Sequence, residues 1–297
     1  MENIPTVTAK TIVSKVKHPS YWFGAEYNMN IYRGCSHGCI YCDSRSDCYR
    51  NKEFDKIKVK ENALQIIRDE LRRKVSTGVI STGAMSDPYN PLELKLNLTL
   101  GALELINATG FGVAIATKAS LVARDAAVLC DIKSHSPVIV KLTITTADDD
   151  LCKKIEPNVC VASERFGVMS LLAGKGIFCG VLMMPILPML EDTEENILKI
   201  LRKAKEAGAK FVYPSMGMTL RAGNREYYYQ KLDELFPGLS EKYIKRYGNT
   251  YSCRSQYAKK LWSVFAKECE SLGLLYDMKA IVSRYKSSYE YNQLKLF

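Results

Sequence analysis

The chain has 297 residues, 47% hydrophobic and 25% charged, with 42 Lys and Arg against 32 Asp and Glu and a formal net charge of +10. That balance suits a globular protein with a sizeable core, and no low-complexity tract or short internal repeat is present. No apolar stretch reaches the roughly 18 residues of a membrane span, 177–190 being too short, and the opening MENIPTVTAK lacks the apolar core of a secretory signal, so a cytoplasmic protein without a membrane partner is expected.

Residues 1–27 read as an N-terminal extension. From 28 to 220, β-branched runs at 29–32, 79–83, 113–117, 138–145, 177–185 and 210–216 alternate with segments of helical apolar spacing, such as Ala63, Leu64, Ile67 and Leu71. Asp192 and Thr193 stand before Glu194 and Glu195 as a helix start, and Gly208 as its end. Six βα units in series predict an α/β fold with a parallel sheet, curled by right-handed crossovers into an open or partial barrel, with chemistry on the loops after the strands. Beyond residue 220 strand signals stop. Segments 224–236 and 255–272 read as helices of a basic C-terminal extension, 221–297, whose aromatics are taken as core packing; 218–297 holds 14 Lys and Arg against 8 Asp and Glu. A basic surface favours polyanions without choosing among them.

Four of the ten cysteines fall between Cys35 and Cys48. In a reducing compartment clustered thiols point to metal or chemistry rather than disulfides. The segment Arg33-Gly34-Cys35-Ser36-His37-Gly38-Cys39-Ile40-Tyr41-Cys42 places three thiolates on a loop just after the first strand, where Gly34 and Gly38 leave room for the backbone to wrap a small metal cluster. Four-iron clusters normally take four thiolates, so three leave one iron open to a small molecule. A structural zinc site completed by Cys48 or His37 is the alternative, although no second pair of knuckle cysteines follows.

The Cys-x3-Cys-x2-Cys pattern with an aromatic before the last cysteine resembles the signature of radical S-adenosylmethionine (SAM) enzymes. Asn30-Ile31-Tyr32-Arg33-Gly34-Cys35, Ser86-Asp87-Pro88-Tyr89, Ala116-Thr117-Lys118, Thr143-Ile144-Thr145-Thr146, Glu156-Pro157 and Pro185-Ile186-Leu187-Pro188 follow in this order and are similar to the subgroup related to spore photoproduct lyase. The resemblance implies a partial (β/α)6 TIM-like barrel and a [4Fe–4S] cluster on Cys35, Cys39 and Cys42. SAM would chelate the open iron and be cleaved reductively to a 5′-deoxyadenosyl radical, with the electron coming from a flavodoxin- or ferredoxin-type partner. It also implies that Tyr41 shields the cluster and touches adenine, Ser86 meets the methionyl amine, and Lys118 the methionyl carboxylate. Thr143 would bond the ribose, and the backbone near Pro185 would frame the adenine. The subgroup's hydrogen-donor cysteine lies two residues before the Ser-Asp pair; here that place is Ala84, so repair of spore photoproduct by that route does not follow unless another thiol, such as Cys48 or Cys253, substitutes.

The terminal Gln293-Leu294-Lys295-Leu296-Phe297 resembles the short peptides by which bacterial replication and repair proteins dock on the DNA sliding clamp, with Leu294, Leu296 and Phe297 filling apolar pockets and Gln293 anchoring. The expected function is therefore radical SAM chemistry on DNA or a nucleotide. A radical SAM enzyme of peptides or small metabolites, and a non-catalytic zinc-stabilised nucleic-acid-binding protein, are the other classes.

Overall fold

The computed structural model describes residues 4–19 and 22–289. Its strands are β1 (Thr6–Val7), β2 (Val13–Lys15), β3 (Tyr27–Met29), β4 (Tyr32–Arg33), β5 (Lys58–Lys60), β6 (Val79–Thr82), β7 (Gly112–Thr117), β8 (Val138–Thr143), β9 (Phe178–Met183), β10 (Phe211–Pro214), β11 (Gly217–Thr219) and β12 (Ser252–Arg254). The main sheet runs in the order β10-β9-β8-β7-β6-β3-β2. All pairs from β3 to β10 are parallel, and only β2 joins antiparallel, at the edge. The expected six parallel strands are thus present in an open sheet that does not close into a barrel.

Two differences from the sequence reading follow from local chemistry. The run 29–32 is two strands, because the polar Asn30 interrupts it; β4 leaves the main sheet to pair antiparallel with β5 in a small sheet with β1. Strand structure also continues past 216, where β11 pairs antiparallel with β12 from the far side of two helices. Three residues each are too few to show a period in sequence.

The helices bury the faces their spacing promised. Helix Ala63–Arg72 turns Ala63, Ile67 and Leu71 inward; full burial of one such Ile or Leu contributes about 1.5–3 kcal/mol. Helix Glu194–Glu206 buries Ile197, Ile200, Leu201 and Ala204, and its Thr193 cap accepts from the Asn196 amide at 3.2 Å. These helices and the strand residues alternating toward them form the outer core. The inner face of the sheet is filled at its N-terminal end by Phe23, Phe211, Ile281 and Tyr285.

The C-terminal segment carries helices Asn224–Leu235, Leu239–Tyr247, Ala258–Leu272 and Met278–Lys286, the second and fourth not anticipated from sequence. Buried Tyr228 and Tyr243 share a hydroxyl bond of 3.0 Å, and Tyr243 donates to the Pro188 carbonyl at 2.6 Å, fastening this segment to the loop after β9. Tyr251, Tyr257 and Trp262, by contrast, are about half exposed; the core-packing reading fails for them. The last helix returns to the start of the chain, where Tyr285 donates to the Phe23 carbonyl at 2.5 Å and Lys286 pairs with Glu26 at 2.6 Å. No helix among the described residues is long and apolar enough to cross a membrane. The tail residues Gln293, Leu294, Leu296 and Phe297 lie outside the described residues.

Candidate active site

The three clustered cysteines sit on the loop that follows β4, between two walls. On one side the Cys35 amide donates to the Phe54 carbonyl at 2.8 Å; on the other the Ile40 amide donates to Ile155 at 3.0 Å and Asn158 to His37 at 3.1 Å. Gly34 takes a left-handed φ of 85°, and a Cβ there would stand 2.6 Å from the Lys56 carbonyl oxygen and 2.7 Å from that of Phe54. The glycine is what lets the chain turn tightly enough to present Cys35.

All ten cysteines are free thiols. Burial pushes Cys35 up to about 11, with Asp87 adding to the effect, and pushes Cys39 well above the ordinary thiol value against the opposing charge of Lys118. Cys35 also feels the charge of Cys42, and Cys39 the charges of Cys42 and Cys35. Among the described residues no three His, Cys, Asp or Glu side chains converge as for a single metal ion. The two alternative zinc ligands have partners of their own. Nδ1 of buried His37 stands 3.6 Å from Asp87, and Sγ of exposed Cys48 stands 3.3 Å from the Arg221 guanidinium.

The other predicted residues surround this loop at the C-terminal end of the sheet. Ser86 donates to the Gly34 carbonyl, binding the loop after β6 to the cysteine loop. Its neighbour Asp87 accepts from Thr117 Oγ1 at 2.7 Å and from the Lys118 amide at 2.9 Å, holding the end of β7 beside it. Lys118 lies over the Tyr41 ring at 5.7 Å with Nζ 4.0 Å from Glu156. Burial opposes its charge, but Cys39 and Glu156 prevail and hold its ammonium above the ordinary value. Thr143 is buried at the end of β8, and its carbonyl accepts from Arg165 at 2.8 Å. Pro185 follows a cis bond from Met184 just beyond β9.

Beneath them is a charged centre that the sequence did not reveal as a unit. Glu156 and Arg165 are each 1% exposed and pair at 2.5 Å, and Tyr41 donates to the same carboxylate. Burial works against the ionised Glu156, but Arg165 and Lys118 hold its carboxyl below the usual range. Glu156 appeared in sequence only as part of a Glu-Pro step, and Arg165 reads there as one polar residue of a helix. A pair of charges inside the fold gains its strength from the low local dielectric and demands this completeness of partners.

A pocket of about 650 Å³ opens beside the loop. Tyr41, Cys42, Ala84 and Pro185 form its inner end; Met85, Met184, Met216 and Met218 supply soft walls, and Arg254 and Trp262 stand among its outer residues. Cys42 is the only cysteine lining it among the described residues; Cys253 is fully buried on β12. The arrangement couples a thiol-rich loop to a cavity able to hold a flat, weakly polar group.

Residues 29–199 match the family model of the Radical SAM superfamily. The chain belongs to the radical SAM superfamily. This radical SAM protein is 29% identical over 248 residues to the uncharacterized protein Rv2578c of Mycobacterium tuberculosis, an alignment spanning 81% of this chain and 72% of that one. It is 32% identical over 191 residues to the uncharacterized protein MJ0683 of Methanocaldococcus jannaschii, spanning 63% and 69%. Its fold is similar to spore photoproduct lyase complexed with dinucleoside spore photoproduct, at a TM-score of 0.65 and 18% identity over 92% of this chain and 86% of that one. A variant of that lyase with bound AdoMet and dinucleoside spore photoproduct gives 0.64 and 18%, covering 93% and 88%. The radical SAM methyltransferase TsrM of Kitasatospora setae, with cobalamin and a [4Fe–4S] cluster bound, gives 0.55 and 10%, covering 92% and 56%. Membership makes the chain a radical SAM enzyme and implies SAM and a [4Fe–4S] cluster as its cofactors.

Proposed function

We propose that Cys35, Cys39 and Cys42 hold the [4Fe–4S] cluster, that Tyr41, Ser86, Lys118, Thr143 and Pro185 surround SAM, and that the substrate is a nucleic acid or nucleotide. The observation that carries the reading is the continuity of the cysteine loop with the pocket lined by Cys42, Ala84, Pro185 and Trp262. Bound there, the cluster would supply the electron that cleaves SAM to a 5′-deoxyadenosyl radical.

The chain's own residues fit this task. Gly34 and the clamp from Phe54 and Ile155 fix the thiol loop, and three thiols leave one coordination place open. Tyr41 shields the loop from below, with its hydroxyl tied to Glu156. Lys118 brings a cation over the Tyr41 ring, where a carboxylate group of SAM would find a point charge. The Met-lined cavity would give the reacting atoms walls that are mostly apolar.

Support for a nucleic-acid substrate comes from the extension, which we take as the substrate-facing part, 221–297, of a catalytic unit 28–220. Exposed Tyr251, Tyr257 and Trp262 alternate with Arg254, and a neighbouring groove is lined by Lys242, Lys245 and Arg246 with no acidic side chain. Cations along a backbone path with aromatic faces for bases are what single-stranded nucleic acid requires. A peptide-modifying branch with auxiliary clusters finds no support, because Cys253 and Cys269 are buried far apart in sequence within apolar packing. Cytoplasmic location belongs to the same proposal.

The test is anaerobic reconstitution with iron and sulfide, then reduction in the presence of SAM. We expect 5′-deoxyadenosine, its loss in Cys35→Ala, Cys39→Ala and Cys42→Ala, and weaker single-stranded DNA binding by Trp262→Ala, scored by fluorescence anisotropy. Zinc uptake with SAM left intact would overturn the catalytic reading, and unchanged anisotropy would overturn the nucleic-acid one.

A further inference from the structure

A second, smaller cavity of about 210 Å³ lies against the substrate pocket and shares the walls Ser44, Tyr49 and Met85 with it. The Ser44 hydroxyl reaches the Met85 sulfur at 3.9 Å, so part of the shared wall is two touching side chains. Two cations, Arg33 and Lys60, line the smaller cavity, and among the described residues no acidic side chain does. Arg33 donates to the Arg50 carbonyl at 2.9 Å and makes no ion pair among the described residues. Half-buried Lys60 has neither an ion pair nor a side-chain hydrogen bond among them.

The carboxylates that stand behind the walls have other partners. Glu93 accepts from Tyr32 and pairs with Arg124 at 3.1 Å. Asp43 accepts from Tyr49 at 3.2 Å and pairs with Arg221 at 3.5 Å. Glu70, whose charge reaches Lys60, accepts from the Ile12 and Val13 amides at 3.1 and 2.7 Å. Burial lowers the Lys60 ammonium from its ordinary value, Glu70 opposes this, and the like charge of Arg33 adds to it. Asn30, in the same lining, has its side-chain oxygen buried with no hydrogen-bond partner among the described residues. Two like charges and an unpaired amide around one cavity are the complement of an anion with several oxygens.

We propose that this cavity takes a phosphate group of the substrate, the one next to the nucleoside held in the Met-lined pocket, an inference that rests on the nucleic-acid reading above. Arg33 offers a planar fork and Lys60 a point charge to the phosphate oxygens. The Asn30 amide brings a donor and an acceptor to the phosphate and the sugar hydroxyl beside it. The low wall of Ser44 and Met85 lets one nucleotide occupy both spaces, its base in the soft pocket and its charge in the cationic one. Phosphate contacts of this kind fix register without reading sequence, so the site positions the reacting nucleoside rather than selecting its base.

The test is fluorescence anisotropy on the reconstituted full-length enzyme, with a labelled single-stranded thymidine hexamer and with the same hexamer built on neutral methylphosphonate linkages. Lys60→Gln should weaken the phosphodiester hexamer at least about fivefold. It should also lower the slope of log K against log salt by about 0.7, the loss of one phosphate contact on a single strand, and leave the methylphosphonate hexamer unaffected. Arg33→Gln should repeat this, and Lys60→Arg should restore most of the binding. Lys175→Gln, a charge removed from the exposed turn before β9, should bind as wild type. An unchanged slope in Lys60→Gln, an equal loss for both hexamers, or an equal loss in Lys175→Gln would each overturn the phosphate site. Weaker SAM binding by Lys60→Gln in equilibrium dialysis would assign the cation to the cofactor and overturn it as well. Failure of the wild type to bind either hexamer would instead overturn the nucleic-acid reading beneath the proposal, and the phosphate site with it.

Discussion

Lys141 stands inside the fold on β8 with 0% exposure, its Nζ 3.5 Å from the Ala114 carbonyl and 4.7 Å from the centre of the Phe23 ring. Among the described residues no carboxylate offsets its charge, and burial alone pulls its ammonium down to about 7. An unfolded lysine titrates near ~10.4. Between those two values the unfolded chain binds more protons than the folded one, so stability must rise with pH across that window, by up to about 1.4 kcal/mol per unit. From pH 7 to pH 9 the gain from this one residue comes to about 2 kcal/mol once its half-titration at pH 7 is included. Lys141→Met keeps the stem and removes the charge. Urea unfolding at the two pH values, followed by tryptophan fluorescence, should therefore show wild type gaining about 2 kcal/mol more than the variant, a midpoint difference of roughly 0.7 M for a slope near ~3 kcal/mol/M. Buried Glu191, pushed up to about 8, titrates in the same window with the opposite sign, its folded form being the one that holds the proton. It is common to both proteins and cancels in the difference. Equal pH gains in the two proteins would refute the claim that Lys141 folds in neutral.

Other expectations test the site's frame. Glu156→Gln leaves Arg165 buried without its counter-ion and should cost about 3–5 kcal/mol in urea unfolding; Arg165→Met should cost a similar amount, and the double variant clearly less than their sum, additivity being the result against it. Gly34→Ala has no room for its Cβ between the Phe54 and Lys56 carbonyls, so iron and acid-labile sulfide per chain should fall while far-ultraviolet circular dichroism is kept. Deleting residues 293–297 should abolish co-purification with the DNA sliding clamp, and undiminished capture would remove the tail's assigned role.

The parallel strands were legible because β-branched runs such as Val-Ile-Val at 138–140 sit between helical periods, and each period repeats the same burial logic. The ends were less legible: β8 stops at Thr143, and the following residues that continue its composition serve the loop instead. The hairpin-like pair β11 and β12 left no trace, since its stability comes from partners 35 residues apart, Met218 and Cys253, rather than from a local pattern. In the site, spacing and glycines disclosed the thiol loop, whereas Arg165 was invisible: a helix shows which face is apolar, not that one polar residue turns inward to meet a carboxylate. Lys141 did leave a signal, a single lysine inside an otherwise apolar strand, that attracted no reading of its own.

The hydrogen bond from Tyr285 to Phe23 and the ion pair from Lys286 to Glu26 join the two ends of the described chain across the inner face of the sheet. During synthesis that seam cannot be sewn until the final helix has left the ribosome, long after the thiol loop has emerged. The nascent protein therefore keeps this end of the sheet's interior open until helix Met278–Lys286 has been made.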